Sequence, residues 1–228
     1  MDNGSKKIKI TLMKLKKELP YLLIIAIPFI YLAYIWTDLP DTVPMHWNFK
    51  GEVDRWGEKS SVIMIPFILP VLIYIIFTVV PFIDPKKKIQ QMGNKYNHLK
   101  FIITLFMSVL ALFILYSVKN PETENPNLII LLIGVLYAVL GNYMKVLKAN
   151  YFIGIRTPWT LESEIVWKKT HLLTGKLWFI GGLIIIGSSL IFGNQINNSI
   201  FLSITAIIVA IPFIYSYIIF KKTEKNIN

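Results

Sequence analysis

An all-α integral membrane protein with six transmembrane helices is the fold class this sequence predicts, and three observations carry it. Hydrophobic residues fill 54% of the 228 positions and charged residues only 16%, against about 25% charged in an ordinary soluble domain. The charge deficit is gathered into six apolar runs, at 19–36, 62–83, 99–118, 127–146, 177–192 and 200–220. All but the fifth, which is the shortest, are about 18 to 22 residues long, close to the ~20 that a helix needs to cross a bilayer. None has a charge in its centre, where the bilayer tolerates it least. Buried core helices of a large soluble protein are the plain alternative, and they do not require such lengths.

The elements follow in order. Residues 1–18 form a basic lead-in whose Ile8, Ile10, Leu12, Leu15 and Leu19 give a partial stripe, as in a short interfacial helix. The first span reads as a retained helix, because its apolar run is long and no small-residue cleavage site follows. An N-terminal membrane module covers 19–118, with an outer loop at 38–61. A C-terminal module covers 119–220, with a second loop at 147–176, and a basic tail covers 221–228. Pro28, Pro66, Pro70 and Pro212 lie inside spans, where neighbouring helices can re-satisfy a broken backbone. Gly175, Gly181, Gly182 and Gly187 place the fifth span centrally, since small residues allow close helix approach. The connections at 120–127 and 192–199 are short and offer little binding surface.

The basic residues orient the spans. Of the 24 Lys and Arg residues, only Lys50, Arg55, Lys59 and Lys119 fall in one set of alternate loops. That asymmetry places both termini and the 147–176 loop in the cytoplasm, with 38–61 outside. It also accounts for the net charge of +11: the cations follow the face where anionic lipids attract them. Direct nucleic-acid binding is therefore disfavoured. The chain has no cysteine, which removes disulfides, thiol nucleophiles and thiolate metal sites. Nothing in it calls for a cofactor.

Two polar segments concentrate the chemistry. The outer one reads LPDTVPMHWNFKGEVDRWGEKS over 39–60. Its two prolines extend the residues before them. Asn48-Phe49-Lys50-Gly51 reads as a turn with Gly51 at positive φ, and Asp54-Arg55-Trp56-Gly57 as a second turn. The expected object is a short hairpin grouping His46, Asp54 and Trp56, with Trp47 and Trp56 at headgroup level. A metal held by His46 with Asp41 or Asp54 lacks further ligands. Acid–base chemistry by His46 and an Asp lacks a marked nucleophile or water. A solvated loop anchored by its tryptophans is the bland alternative.

The inner segment runs from Asn150 to His171. Thr157 before Pro158 is a helix start with proline at the first position, and Thr160 is a second candidate cap. The helix expected next places Leu161, Ile165 and Leu172 on one face and pairs Glu164 with Lys168. Trp159 and Trp167 would seat it in the interface. An amphipathic connector on the inner leaflet is the bland alternative here.

These two strings carry a resemblance. Residues 39–60 resemble the outward-facing module of unknown function that begins many bacterial SdpI-type proteins. NYFIGIRTPWTLESEIVWKKTHLLTGK, residues 150–176, is similar to the signature of the SdpI family itself, with its GIRTPWTL core and the W-x-x-T-H that follows. The resemblance implies a multi-pass immunity protein of the bacterial plasma membrane. Its founding member protects against a secreted antimicrobial peptide toxin that collapses the membrane potential, and relays the toxin's presence by holding a small transcriptional repressor at the membrane. The implied partners are a peptide toxin at the outer face and a cytoplasmic repressor, beside the anionic lipids to which the charge asymmetry already points.

On this reading His46, Trp47, Asn48, Gly51, Asp54, Trp56 and Gly57 form the outer recognition surface. Asn150, Gly154, Arg156, Thr157, Pro158, Trp159, Thr160, Trp167 and His171 form the inner functional segment, with Arg156 able to grip a carboxylate or lipid phosphate in a bidentate pair. No catalytic residue or metal ligand is expected. Two rivals stay open. One is an outer-surface enzyme acting on a peptide or lipid with His46 and Asp54 as an acid–base pair. The other is a lipid or peptide transporter, disfavoured because Asn142 and scattered hydroxyls are the polar groups read within the spans.

Overall fold

The first apolar run and its basic lead-in form one continuous helix, α1 (Asn3–Ile35), with Pro20 and Pro28 inside it. Each proline removes one backbone bond without ending the helix. The computed structural model describes residues 3–48, 50–121 and 126–225. The side chains of the stripe expected from Ile8 to Leu15, the middle of the 120–127 connection and the last three residues of the tail lie outside what it describes. Beyond α1 come a 3₁₀ turn, Trp36–Asp38, and the strands β1 (Thr42–Trp47) and β2 (Val53–Glu58), which pair as a two-stranded sheet.

The second span is irregular where its prolines fall. It starts as a 3₁₀ turn, Lys59–Ile63, continues through α2 (Met64–Pro66) and a π turn, Phe67–Val71, and straightens into α3 (Leu72–Ile83). Pro70 has no N–H to give the carbonyl of Pro66, and the wider π turn absorbs that missing bond. The remaining helices are α4 (Asn94–Lys119), α5 (Pro126–Met144), the single turn α6 (Pro158–Glu162), α7 (Glu164–Ile191) and α8 (Asn194–Lys225). Among the described residues, six helical stretches are long and apolar enough to cross a membrane. Large apolar side chains such as Ile30, Phe82, Leu190 and Ile191 face outward from them, as a lipid solvent requires.

The chain packs as two units. The first comprises Met1–His46, Val53–Thr78 and Lys100–Thr123. Its interior holds a cation that the apolar pattern assigned to a loop. Lys100 is buried, with its ammonium 4.4 Å from the ring centre of Tyr21, 4.1 Å from that of Tyr74 and 3.3 Å from Glu18 Oε2. The Tyr74 hydroxyl donates to the same carboxylate oxygen at 2.7 Å. Ring faces and a carboxylate together offset the cost of taking the ammonium out of water. At the opposite end of α4, Lys119 pairs with Asp38 at 2.7 Å. Lys59 donates to the carbonyl of Leu39 and lies over the Trp36 ring. These contacts clamp the base of the β1–β2 hairpin to the end of α1.

The second unit comprises Trp47–Glu52, Val79–Leu99 and Glu124–Asn228. Its helix α7 packs against α5 on one side and α8 on the other, as the glycine run of the fifth span predicted. A Cβ on Gly175 would meet the carbonyl oxygen of Gly141 at 2.7 Å, so these backbones touch where a side chain would hold them apart. The far end of this unit is closed by buried amides and hydroxyls. Asn197 donates to Asn127 Oδ1 at 2.8 Å and accepts from the Ser188 hydroxyl at 2.7 Å. The sequence places Asn197 in the 192–199 connection, but α8 starts at Asn194 and carries it inward; Asn142, the amide expected inside a span, is exposed.

The loop helix also differs from expectation. Ser163 stops α6 after one turn and then caps α7, accepting from the Val166 N–H. The stretch from Glu164 is therefore continuous with the fifth span, which extends over 28 residues rather than being the shortest. Its buried face carries Val166, Trp167, Thr170, His171 and Thr174, while Ile165 and Leu172 are about half exposed (55% and 50%). The apolar stripe faces outward because lipid, unlike water, accepts it, and the polar face turns to the helix partners.

Candidate functional site

The hairpin is built by its turn. Asn48 Oδ1 accepts from the N–H groups of Lys50 and Glu52, and Asn48 Nδ2 donates to Glu52 Oε2 at 2.8 Å. The Gly51 N–H donates to the Asn48 carbonyl at 2.9 Å, and Gly51 takes φ 84°, a region open to glycine at little cost. Bonds from Asn48 N–H to the Glu52 carbonyl and from Lys59 N–H to the Asp41 carbonyl fix the register at both ends. That register sets His46 opposite Asp54, with Nδ1 2.6 Å from Oδ1. Both side chains stay open to solvent, at 58% and 43%.

Trp56 is exposed, and Trp47 is half-buried with an indole N–H that has no partner among the described residues. Asp54-Arg55-Trp56-Gly57 is strand rather than a second turn: the register continues through it, and Gly57 lets β2 lie close to Met45. Of the outer residues, Asn48, Gly51 and Gly57 shape the hairpin, while His46, Asp54 and Trp56 are presented by it. Among the described residues no third His, Asp or Glu gathers with the pair as a metal-binding group would need.

The inner segment is a knot of satisfied polar groups. Asn150 is buried: its Oδ1 accepts from the N–H groups of Phe152 and Ile153, and its Nδ2 donates to the carbonyls of Lys148 and Ile153. Gly154 sits at φ +109°, hard against His171 and the edge of Trp167. His171 Nδ1 donates to the Trp167 carbonyl at 2.8 Å, and Nε2 accepts the Ile155 N–H at 3.0 Å. Two backbone partners thus fix one neutral tautomer. The His171 ring stacks on Trp167 at 4.0 Å, and the Trp167 N–H donates to the Leu147 carbonyl.

Thr157 and Thr160 form a reciprocal capping box: each backbone N–H donates to the other's hydroxyl oxygen. Thr160 is therefore the returning half of one cap rather than a second cap. The Thr157 hydroxyl also donates to Ser216 on α8 at 3.1 Å. Pro158 opens α6, and Trp159 packs on Tyr217, 5.0 Å between ring centres. Trp167 is 2% exposed and anchors the interior rather than the membrane surface. Arg156 stands apart from this knot: it is exposed, and its guanidinium donates to the Tyr151 carbonyl at 2.7 Å. Glu164 pairs with Lys88 at 2.9 Å rather than with Lys168, because that edge of α7 faces the connection between α3 and α4.

Several polar groups escaped the sequence reading. The Lys100–Glu18 pair joins residues 82 apart and the Lys88–Glu164 pair residues 76 apart. No local spacing signals either one.

Six spans, an exposed hairpin between the first two and a hydrogen-bonded knot at the start of the fifth define a multi-pass membrane protein. Residues 146–216 match the SdpI/YfhL protein family, and residues 23–69 match a domain of unknown function, DUF1648. The chain is 26% identical over 211 residues to the Immunity protein SdpI of Bacillus subtilis (strain 168), an alignment covering 91% of this chain and 98% of that protein. The resemblance read from 39–60 and 150–176 is thereby shown. No solved structure matches the chain.

Proposed function

We propose that this chain is an immunity protein of the bacterial plasma membrane that gives resistance to a secreted antimicrobial peptide toxin. The observation that carries this reading is the alignment to an immunity protein over nearly the full length of both chains. The charge asymmetry supports an orientation with both termini in the cytoplasm and the hairpin outside. In that orientation His46, Asp54 and Trp56 meet the toxin: an indole face for apolar side chains beside an imidazole–carboxylate pair for polar ones. Arg156, the exposed cation beside the inner knot, is the group offered to a cytoplasmic repressor that relays the toxin's presence.

Survival of a toxin-sensitive strain expressing the parent or its variants tests this. The parent is expected to protect, and Asp54→Ala with Trp56→Ala to abolish protection at equal protein level. Full protection by that double variant would remove the hairpin from the reading, and no protection by the parent would remove immunity. Orientation is tested separately because the chain lacks cysteine. In intact cells, Lys50→Cys should react with an impermeant maleimide and Lys222→Cys should not.

A second reading has its own observation, the 2.6 Å contact between His46 and Asp54, which is the geometry of an acid–base pair acting on peptide or lipid. Incubating toxin with purified protein and measuring its mass separates the two. A changed mass favours the enzyme, and an unchanged mass removes toxin cleavage.

A further inference from the structure

Where α5 ends and α7 begins, the second unit carries a groove of about 530 Å³. Lys88, Lys145, Lys148 and Lys168 line it, with Glu164 as the one acidic residue among its lining. Lys88 is engaged by Glu164 at 2.9 Å, and Lys148 reaches Gln91 Oε1 at 3.3 Å. Lys86 stands within electrostatic range of the same Glu164 carboxylate. Lys145 and Lys168 are exposed and make no charged contact among the described residues. Four ammonium groups around one carboxylate leave a clear positive excess.

The rest of the lining is apolar or already bonded. Trp167 and His171 form part of the wall with their polar atoms held by backbone partners. Met144, Leu147 and Leu172 add apolar wall, and Leu172 is half exposed on the same outward face of α7 as Ile165.

We propose that this groove binds the headgroup of an anionic phospholipid, its phosphate held by Lys145, Lys148 and Lys168 and an acyl chain leaving along Leu172. Charge complementarity selects a phosphate-bearing anion. The apolar lip selects lipid over a soluble anion, because it is continuous with the outward-facing apolar surface of a spanning helix. Position agrees, since the groove lies at the ends of two spans, the level at which headgroups stand. The lysine lining, unlike the hairpin and Arg156, has no part in the immunity reading, and either proposal can fail without the other.

Native mass spectrometry of the detergent-purified protein tests the groove, with phosphatidylglycerol, phosphatidylcholine, free glycerol phosphate and an acidic peptide as probes. The parent should retain phosphatidylglycerol and release phosphatidylcholine. Combined Lys145→Gln, Lys148→Gln and Lys168→Gln should weaken phosphatidylglycerol retention by at least about tenfold, while Glu164→Gln, which frees Lys88, should strengthen it about fivefold. Lys221→Gln with Lys222→Gln, outside the groove, should change it by less than about twofold.

Equal retention in the triple variant would overturn the site. So would an equal loss in the tail variant, which would mean diffuse attraction. Displacement of the lipid by glycerol phosphate would assign the groove to a soluble anion, and displacement by an acidic peptide would assign it to a protein partner. If the triple variant does not fold, Glu164→Gln decides alone, and no gain there also overturns the proposal.

Discussion

The outer hairpin and the inner knot are both dense in motif residues, yet they use them in opposite ways. In the hairpin the turn is stitched by Asn48 and Gly51, and the side chains that carry chemistry, His46, Asp54 and Trp56, stand in solvent. In the knot Asn150, Thr157, Thr160, Trp167 and His171 are buried, and each is engaged by backbone or another side chain. A string rich in Trp, His, Thr and Asn can therefore be a surface for meeting a partner or the scaffold that holds a surface. Burial and hydrogen bonding, not composition, tell the two apart. By that measure the exposed charged group of the GIRTPWTL core is Arg156, with its neighbour Tyr151.

Substitutions can break or sharpen this contrast. Gly154→Ala should be the most damaging, because it forces a side chain at φ +109° against His171. A loss of about 3 kcal/mol is expected, read as a lower unfolding temperature in detergent; an unchanged temperature would mean the knot is not rigid. His171→Ala should follow at about 2 kcal/mol, since it strands the Ile155 N–H and removes the stack on Trp167. Thr157→Ala removes half of the capping box and the bond to Ser216, for about 1 kcal/mol.

The hairpin should answer differently. Asp54→Asn with Trp56→Ala should shift stability by no more than about 0.5 kcal/mol, as for exposed groups, while survival on toxin falls. Should the hairpin variant unfold the protein, or the knot variants leave it stable and merely inactive, the contrast would be reversed.

Much of the architecture was legible because it rests on local rules. Length and charge depletion mark the spans, Gly51 marks the turn, and Thr157-Pro158 marks the start of α6. The glycines of the fifth span announced its close packing. The errors share one cause. The stripe of Leu161, Ile165 and Leu172 was assigned to a separate surface helix, but Ser163 breaks that helix and α7 turns Ile165 and Leu172 outward. Lys100, at the head of the third apolar run, reads as one of the lysines of the loop before it, yet two tyrosines and Glu18 draw it inside. Asn197 was taken for a loop residue, yet α8 begins before it and Asn127 receives it. In a membrane protein the polar face of a helix is as often the packed one, so a soluble-protein reading of amphipathicity inverts.

The sequence by itself determined the six spans, the charge asymmetry, the hairpin and the family resemblance, because each depends on residues near one another in the chain or on simple counts. Only the tertiary structure decided which motif residues are scaffold. The Ile155–His171 bond spans 16 residues, the Thr157–Ser216 bond 59 and the Lys88–Glu164 pair 76. Such contacts arise when helices close against each other, and no local pattern encodes which side chain will be waiting there.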